Sequence, residues 1–463
     1  MSFRIDTKEW AEQQFSNCEL GDQRRTKRLI QVAQQVANHP AGSFPEQMES
    51  WADLKAAYRL FAADGVTLEA VAGPHWQQTR CVRPGRYLVL ADTTEIDFGY
   101  HREIEGLSPI GNGSGRGFLL HNALLVEAPS KTLVGVAGQT IHYRQPAPKK
   151  ENKSQRFKRE RESRVWGAVI DQVGPPAEGV EWIHVCDRGA DDFEVFCHLL
   201  QNRAEWVVRA SSLHRLILTP DAKSKRLDKY LRTLSLAGTY ELDLQTRPKQ
   251  PARTAKLEIR FGRLRMPVPR HTSPYVKSLR PEPIAMWVVW VREVDAPRGV
   301  DPIEWVLCTS LPVETFDDAW QIVEYYECRW LIEEYHKALK TGCCVQRRLL
   351  GATDRLEAMV GLMSVVAVRL LQLKTVARRD PDRPARKIVP PLWLEMLKAA
   401  RKNLRRVHDL TIYQFYRELA KLGGFLGRRS DGEPGWITIW RGWEKLNSLV
   451  RGAQLAINLN KCG

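Results

Sequence analysis

The sequence predicts an α/β protein: a mixed core carrying an all-β insertion, flanked by helical segments at both ends. Three observations predict it. Two continuous apolar runs, RYLVLADTT (86–94) and VEWIHVCD (180–187), each close on an aspartate, as buried central strands do. Alternating stretches such as TYELDLQT, KLEIRFGRLRMPV and AMWVVWVREV crowd residues 213–320. Helical spacing dominates residues 1–70 and 374–463, which leaves 71–373 as the core. At 463 residues and 43% hydrophobic content, the chain is globular and long enough for roughly two to four domains.

In the first segment, LGDQRRTKRLIQVAQQVANHP offers Asp22 as a helix cap and Pro40 as a stop. Arg24, Arg25, Lys27 and Arg28 then open the helix, against its dipole. Anionic DNA would offset that cost; an ordinary solvated basic turn explains it equally well. Within the core, GFLLHNALLVEA and LVGVAGQTIHYR follow the first apolar run as an antiparallel meander. Residues 149–164 hold eight Lys/Arg against three Glu, a charged linker leading into a helix around Val165–Val173. The second apolar run, a helix and the strand AEWVVRASS come next, then the insertion.

YYECRWLIEEYHKALKTG (325–342) reads as one helix, with neither Gly nor Pro before Gly342. With Tyr326 at zero, Arg329, Glu333, Lys340 and Lys337 fall at roughly −60°, −20°, −40° and +20°. One acid therefore sits inside a cationic stripe, opposite an apolar back of Tyr325, Leu331, Ile332, Tyr335 and Leu339. Glu334 falls off the stripe, at roughly +80°. Such a face suits a polyanion and a metal, although charged helix faces are more often simply solvated. ATDRLEAMVGLMSVVAVRLLQLK is a long apolar helix, and KTVARRDPDRPARKIVPP (374–391) is a Pro/Arg-rich boundary. Near the end, Trp436, Ile439, Trp440, Trp443 and Leu446 form a helical stripe, either internal packing or a partner surface.

A formal net charge of +16 makes nucleic acid the first candidate partner. No run of 18 apolar residues appears, so no membrane span and no membrane partner are expected. The start, MSFRIDTKEWAEQQF, has no apolar signal region. Nine cysteines without CxxC pairs point to reduced thiols in the cytoplasm and away from zinc.

Asp92, Asp187 and Glu333 then stand out. A carboxylate at the end of a buried strand is costly unless paired or bound to metal. Mg²⁺ takes carboxylate oxygens, and two such ions can serve a phosphodiester displacement. Capping roles for both aspartates are the plainer explanation.

The spacing Tyr326-x2-Arg329-x3-Glu333-x6-Lys340 resembles the Y-x2-R-x3-E-x6-K signature of the insertion-sequence-four family of DDE transposases. ADTT around Asp92 and VCDRGAD around Asp187 resemble its two aspartate motifs. LGDQRRTKRL, IEWVLCTSLPVE, MSVVAVRLLQL and LGGFLG extend the likeness along nearly the whole chain. The resemblance implies a ribonuclease H-like catalytic core. It implies that Asp92, Asp187 and Glu333 bind two Mg²⁺, with Mn²⁺ able to substitute. Tyr326, Arg329 and Lys340, with Lys337 on the same stripe, would hold phosphates at the transposon end. Trp305 would stack a flipped base, and Arg209 would contact DNA. Arg24, Arg25 and Arg28 would read the terminal inverted repeat.

The implied reaction is cut-and-paste transposition through a hairpin, then strand transfer into target DNA, by a homodimer on double-stranded DNA; the resemblance makes 374–463 the dimerisation segment and tips its tryptophan stripe toward a dimer contact. No nucleotide cofactor is implied, and the location would be the bacterial cytoplasm, at the nucleoid. Two other readings stay open: a catalytically silent DNA-binding regulator, and a structure-selective nuclease without strand transfer. Gly189 and Ser211 depart from the family pattern, and residues 374–406 are unusually basic.

Overall fold

The computed structural model describes residues 6–99, 103–145, 148, 150, 162–244, 252–428 and 431–461. The expected charged linker lies almost wholly outside the described residues. Five helices open the chain: α1 (Thr7–Phe15), α2 (Gln23–Asn38), α3 (Phe44–Gln47), α4 (Trp51–Phe61) and α5 (Leu68–Arg80). Asp22 caps α2 as expected, accepting from Arg24 N at 2.8 Å. The helix buries Leu29, Val32, Ala33, Val36 and Ala37, one apolar stripe against the core. Helix α5 straddles residue 70 and carries the helical segment on to Arg80.

Among the described residues, twelve strands form one sheet. They are β1 (Gly85–Asp97), β2 (Ser108–Ile110), β3 (Gly115–Glu127), β4 (Thr132–His142), β5 (Val180–Cys186), β6 (Glu205–Arg209), β7 (Leu216–Leu218), β8 (Ser224–Arg226), β9 (Leu236–Leu244), β10 (Arg253–Met266), β11 (Ile284–Val294) and β12 (Glu304–Thr309). At the functional end the order is β4–β3–β1–β5–β6. β1 pairs antiparallel with β3 and parallel with β5, and β5 runs parallel to β6. The parallel pairs need crossovers, supplied by α6 (Arg164–Val173) and α7 (Phe193–Gln201).

Two expectations change here. First, β1 does not end at Asp92. It continues to Asp97 against β3, and only its pairing with β5 stops, at Ala91. Second, the insertion is not all-β. It holds the short helices α8 (Leu227–Leu231) and α9 (Pro274–Leu279). Ser273 caps α9 and Pro274 starts it, a local signal strong enough to make one turn. Nor does the insertion stand apart: β12 pairs with β6 and extends the core sheet.

The opening helix is also not continuous. Helix α10 (Phe316–Glu327) starts at a capping box of Thr315 and Asp318. The chain tightens at Cys328–Arg329, where Leu331 N reaches Cys328 O (3.0 Å) and Ile332 N reaches Arg329 O (3.1 Å). Helix α11 (Trp330–Lys337) then widens into a π turn over Ala338–Gly342, closed by Cys343 N to Ala338 O at 2.8 Å.

The chain closes with α12 (Thr353–Arg379), α13 (Pro391–Ala400), α14 (Ile412–Leu422) and α15 (Trp436–Lys461). Helix α12 is the long apolar helix expected; over Thr353–Ala377 it is long and apolar enough to cross a membrane by composition, yet most of that stretch is buried inside the protein. The tryptophan stripe of α15 is internal, against the dimer contact that the resemblance favoured for it. Trp436, Ile439, Trp440, Trp443 and Leu446 are all buried, and Trp443 packs on Trp393 with ring centroids 4.6 Å apart. Helices α14 and α15 touch backbone to backbone. A Cβ on Gly423 would lie 1.8 Å from Thr438 O, and one on Gly442 1.8 Å from Leu419 O.

Candidate active site

The register of β1 and β5 builds the site. Their last parallel pair is Ala91 with Cys186, so Asp92 and Asp187 stand side by side just beyond it. Asp187 caps a single 3₁₀ turn, its Oδ1 accepting from Gly189 N at 2.8 Å. Asp92 Oδ1 accepts from Thr93 N at 2.8 Å, and its Oδ2 accepts from Arg329 Nη1 at 3.0 Å. The same guanidinium donates from Nη2 to Glu333 Oε1 at 2.5 Å. Arg329 thus joins an acid of β1 to an acid of α11, and Asp187 stands beside the first of them.

Burial first, then the charge of Asp187 and, more weakly, that of Glu333, raise Asp92 from 3.8 to about 6, against the opposing pull of Arg329 and the Thr93 N–H. Burial lowers Arg329, but the acids around it, Asp92 first, leave its affinity for the proton raised overall. A cluster of carboxylates that repel one another suits a hard divalent cation, and oxygen donors suit magnesium or manganese. Among the described residues, no three acidic, histidine or cysteine side chains are already gathered around one point. Arg329 occupies the space between two of the acids, so a cation there requires the guanidinium to move.

The stripe residues meet different surroundings. Tyr326 is buried, with its ring edge-on to Trp305 of β12 at 5.6 Å. Trp305 itself is half-buried against the core. Lys337 is exposed and lies 4.4 Å from the ring of Trp330. Lys340 is carried by the π turn toward the tail of β1; burial lowers its pKa while Glu95 and Asp97 oppose the shift. Arg209 donates to Glu304 O at 2.9 Å and, with Arg188 and His214, lines a 330 Å³ cleft beside the Asp187 turn.

The N-terminal arginines separate. Arg24 is almost fully exposed, with Asp22 3.6 Å away. Arg25 donates to Leu20 O and Asp64 O, and Arg28 pairs with Asp53 at 2.7 Å. Of the three, Arg24 alone presents its side chain to solvent without bracing the fold.

Two features escaped the sequence. Asp191 is buried and accepts from Arg215 Nη1 at 2.7 Å and from Ser211 N at 2.5 Å, which clamps the loop after β6 onto the Asp187 turn. Only the second aspartate of DRGAD hinted at it. Trp330, next to Arg329 in the chain and 51% exposed, presents an indole covered by Lys337. No sequence signal set it apart, since Trp330 stands between Arg329 and Leu331 and its exposure is visible only in the fold.

Three family models match the chain. Transposase DNA-binding covers residues 7–66, Transposase DDE domain covers 155–369, and Transposase Tn5 dimerisation domain covers 365–463. A DNA-binding module, a DDE core and a dimerisation module in this order define a DNA transposase. The chain belongs to the Tn5-like DDE transposases of the insertion-sequence-four family. The DDE model contains Asp187 and Glu333 and begins after Asp92, which joins them through the β1–β5 register.

Proposed function

We propose that this transposase works by cut-and-paste. It nicks the transposon end, uses the freed 3′-hydroxyl to form a hairpin, reopens it, and joins the end to target DNA. The observation that carries this is that Arg329 bridges Asp92 and Glu333 while the β1–β5 register sets Asp187 beside Asp92. The strand order β4–β3–β1–β5–β6, with β3 antiparallel between its neighbours, supports a ribonuclease H-like core.

Asp92, Asp187 and Glu333 would hold two divalent ions, Mg²⁺ or Mn²⁺, which supply activation of the attacking oxygen and stabilisation of the leaving one. Arg329 neutralises the acids and is placed to turn toward a phosphate. Lys337 and Lys340 add positive charge along the DNA path, and Tyr326 with Trp305 forms an aromatic floor for an extruded base. Arg209 and Arg188 line the neighbouring cleft. Arg24, with Arg25 and Arg28 bracing its helix, faces the terminal repeat.

A homodimer on double-stranded DNA follows from pairing two ends. The tip of α15 supports it, because Leu449, Leu455, Ile457 and Leu459 are exposed there. The eight described cysteines are free, which accords with work in a reducing cytoplasm.

The test uses a labelled fragment ending in the inverted repeat that flanks the gene, a target plasmid, and Mg²⁺ or Mn²⁺. Nicked, hairpin and plasmid-joined products are expected in that order. Cutting without joining would leave a nuclease, and binding without cutting would leave a regulator.

A further inference from the structure

Beneath the acids runs a buried polar relay with no part in the chemistry just described. It begins on α5, where Trp76 Nε1 donates to Gln139 Oε1 of β4 at 3.2 Å. Gln139 Nε2 donates to Asn122 Oδ1 of β3 at 2.6 Å. Asn122 Nδ2 meets His336 Nε2 of α11 at 3.0 Å. Asn122 and Gln139 are fully buried, and Trp76 and His336 nearly so.

Each orientation is forced by the one before it. An indole N–H only donates, so Gln139 turns its oxygen to Trp76 and its nitrogen to Asn122. Asn122 must then accept through its oxygen. Its nitrogen, which also donates to Leu120 O at 3.2 Å, faces the imidazole. His336 Nε2 is therefore an acceptor, and the ring proton sits on Nδ1.

The two ends of that last bond matter. Asn122 is the cross-strand partner of Asp92. His336 lies three residues after Glu333, on the same side of one helix. A single hydrogen bond thus spans the strand pair that carries Asp92 and the turn that carries Glu333. Apolar neighbours such as Ile332 and Leu339 hold α11 down but tolerate small rotations. A satisfied polar layer admits one arrangement. Arg329 also ties Glu333 to Asp92, yet its guanidinium stands among the oxygens a cation would need. The Asn122–His336 bond competes for none of them.

We propose that His336 is a positioning residue for Glu333. The relay presents a fixed donor, and the bond to His336 Nε2 sets the rotation of α11 over β1 and β3, and with it the approach of Glu333 to Asp92. The proposal rests on the reading of Glu333 as a metal-binding carboxylate.

Mn²⁺ uptake by the full-length, DNA-free protein tests it, followed by loss of the free ion's electron paramagnetic resonance signal. His336→Phe keeps a ring and loses the acceptor; His336→Gln keeps an acceptor oxygen. His336→Phe should weaken uptake roughly 10–100-fold, and His336→Gln should stay within about threefold of the parent. Asn122→Leu removes the same bond from the strand side and should match His336→Phe, which covers the case where the phenylalanine variant does not fold. Folded His336→Phe or Asn122→Leu protein that takes up Mn²⁺ like the parent overturns the proposal. So does equal loss in folded His336→Phe and His336→Gln. Uptake by the parent that Asp92→Ala and Glu333→Ala leave unchanged would instead bring down the metal-site reading, and the proposal with it.

Discussion

Glu334 and Lys374 face each other across α11 and α12, with Nζ 2.7 Å from both carboxylate oxygens in a mostly buried pair. Glu333, one residue earlier, points instead to Arg329 and Asp92. Neighbouring helix residues diverge by about 100°, so two consecutive glutamates serve two different interiors. Glu334→Ala should therefore cost about 3–5 kcal/mol of stability, the usual loss when one partner leaves a buried pair. Nicking per folded molecule should hardly change. Urea denaturation beside single-turnover nicking separates the two effects, and a stable but inactive Glu334→Ala would reverse the assignment of the glutamates.

Glu333→Gln, Asp92→Ala and Asp187→Ala should each slow nicking by at least about a thousandfold, since several kcal/mol of charge stabilisation is lost. End binding in a mobility-shift assay should survive, because phosphate contacts elsewhere are untouched. Loss of binding in step with cleavage would mean that the acids hold the fold and not the reaction.

Asp92 gives a pH signature. Its folded pKa of about 6 lies above its ordinary value of 3.8, so the fold favours the protonated carboxyl. That contribution is fully present below about pH 4 and is lost as pH rises through 6. In EDTA, Asp92→Asn should be more stable than the parent at pH 8 by on the order of 2–3 kcal/mol. The difference should vanish near pH 4. Guanidinium denaturation at both pH values measures it; a less stable Asp92→Asn at pH 8 would show that the Arg329 contact outweighs burial and repulsion.

Trp330 is exposed and cationic Lys337 covers its ring. Trp330→Ala should leave stability within about 0.5 kcal/mol, as at most surface positions. It should weaken the hold on a distorted end by roughly 1–3 kcal/mol, the worth of stacking one base. Trp305→Ala, from a half-buried site against Tyr326, should lower the melting temperature as well. Comparing hairpin yield and melting temperature in the two variants checks both statements.

Trp440→Arg should unfold the C-terminal helices, because Trp440 is buried within its own chain. Leu455→Arg and Leu459→Arg lie on the exposed tip of α15 and should leave the circular dichroism spectrum unchanged while reducing two-end complexes in mobility assays. Intact pairing in both leucine variants would move the dimer surface elsewhere.

Much of this was legible because the signals are local. Apolar runs place β1 and β5, and Asp22 and Pro40 bracket α2. The continuation of β1 past Asp92 was missed, although Thr94, Glu95, Ile96 and Asp97 alternate there, buried and half-buried by turns, as a strand with one covered face does. The helix wheel failed where its premise failed. A constant step cannot survive the tight turn at Cys328–Arg329 or the π turn at Ala338–Gly342, and Lys340 feels the charges of Glu95 and Asp97 on the tail of β1. The tryptophan stripe has the same period whether a partner or the chain itself covers it. Asp191–Arg215 and the Trp76–His336 relay join residues far apart in sequence, and no spacing announces them.

The glycine contact between α14 and α15 makes the last helix a lever. With Gly423 and Gly442 seated against the opposing backbones, the pivot has no room for play. From Gly442 to Leu459 the helix extends about 25 Å, so a tilt of about 10° at the pivot would sweep the tip by about 4 Å. On the α15 interface proposed above, the angle at which two copies meet, and with it the spacing between two bound DNA ends, would be set at the fulcrum, by two residues that have no side chains.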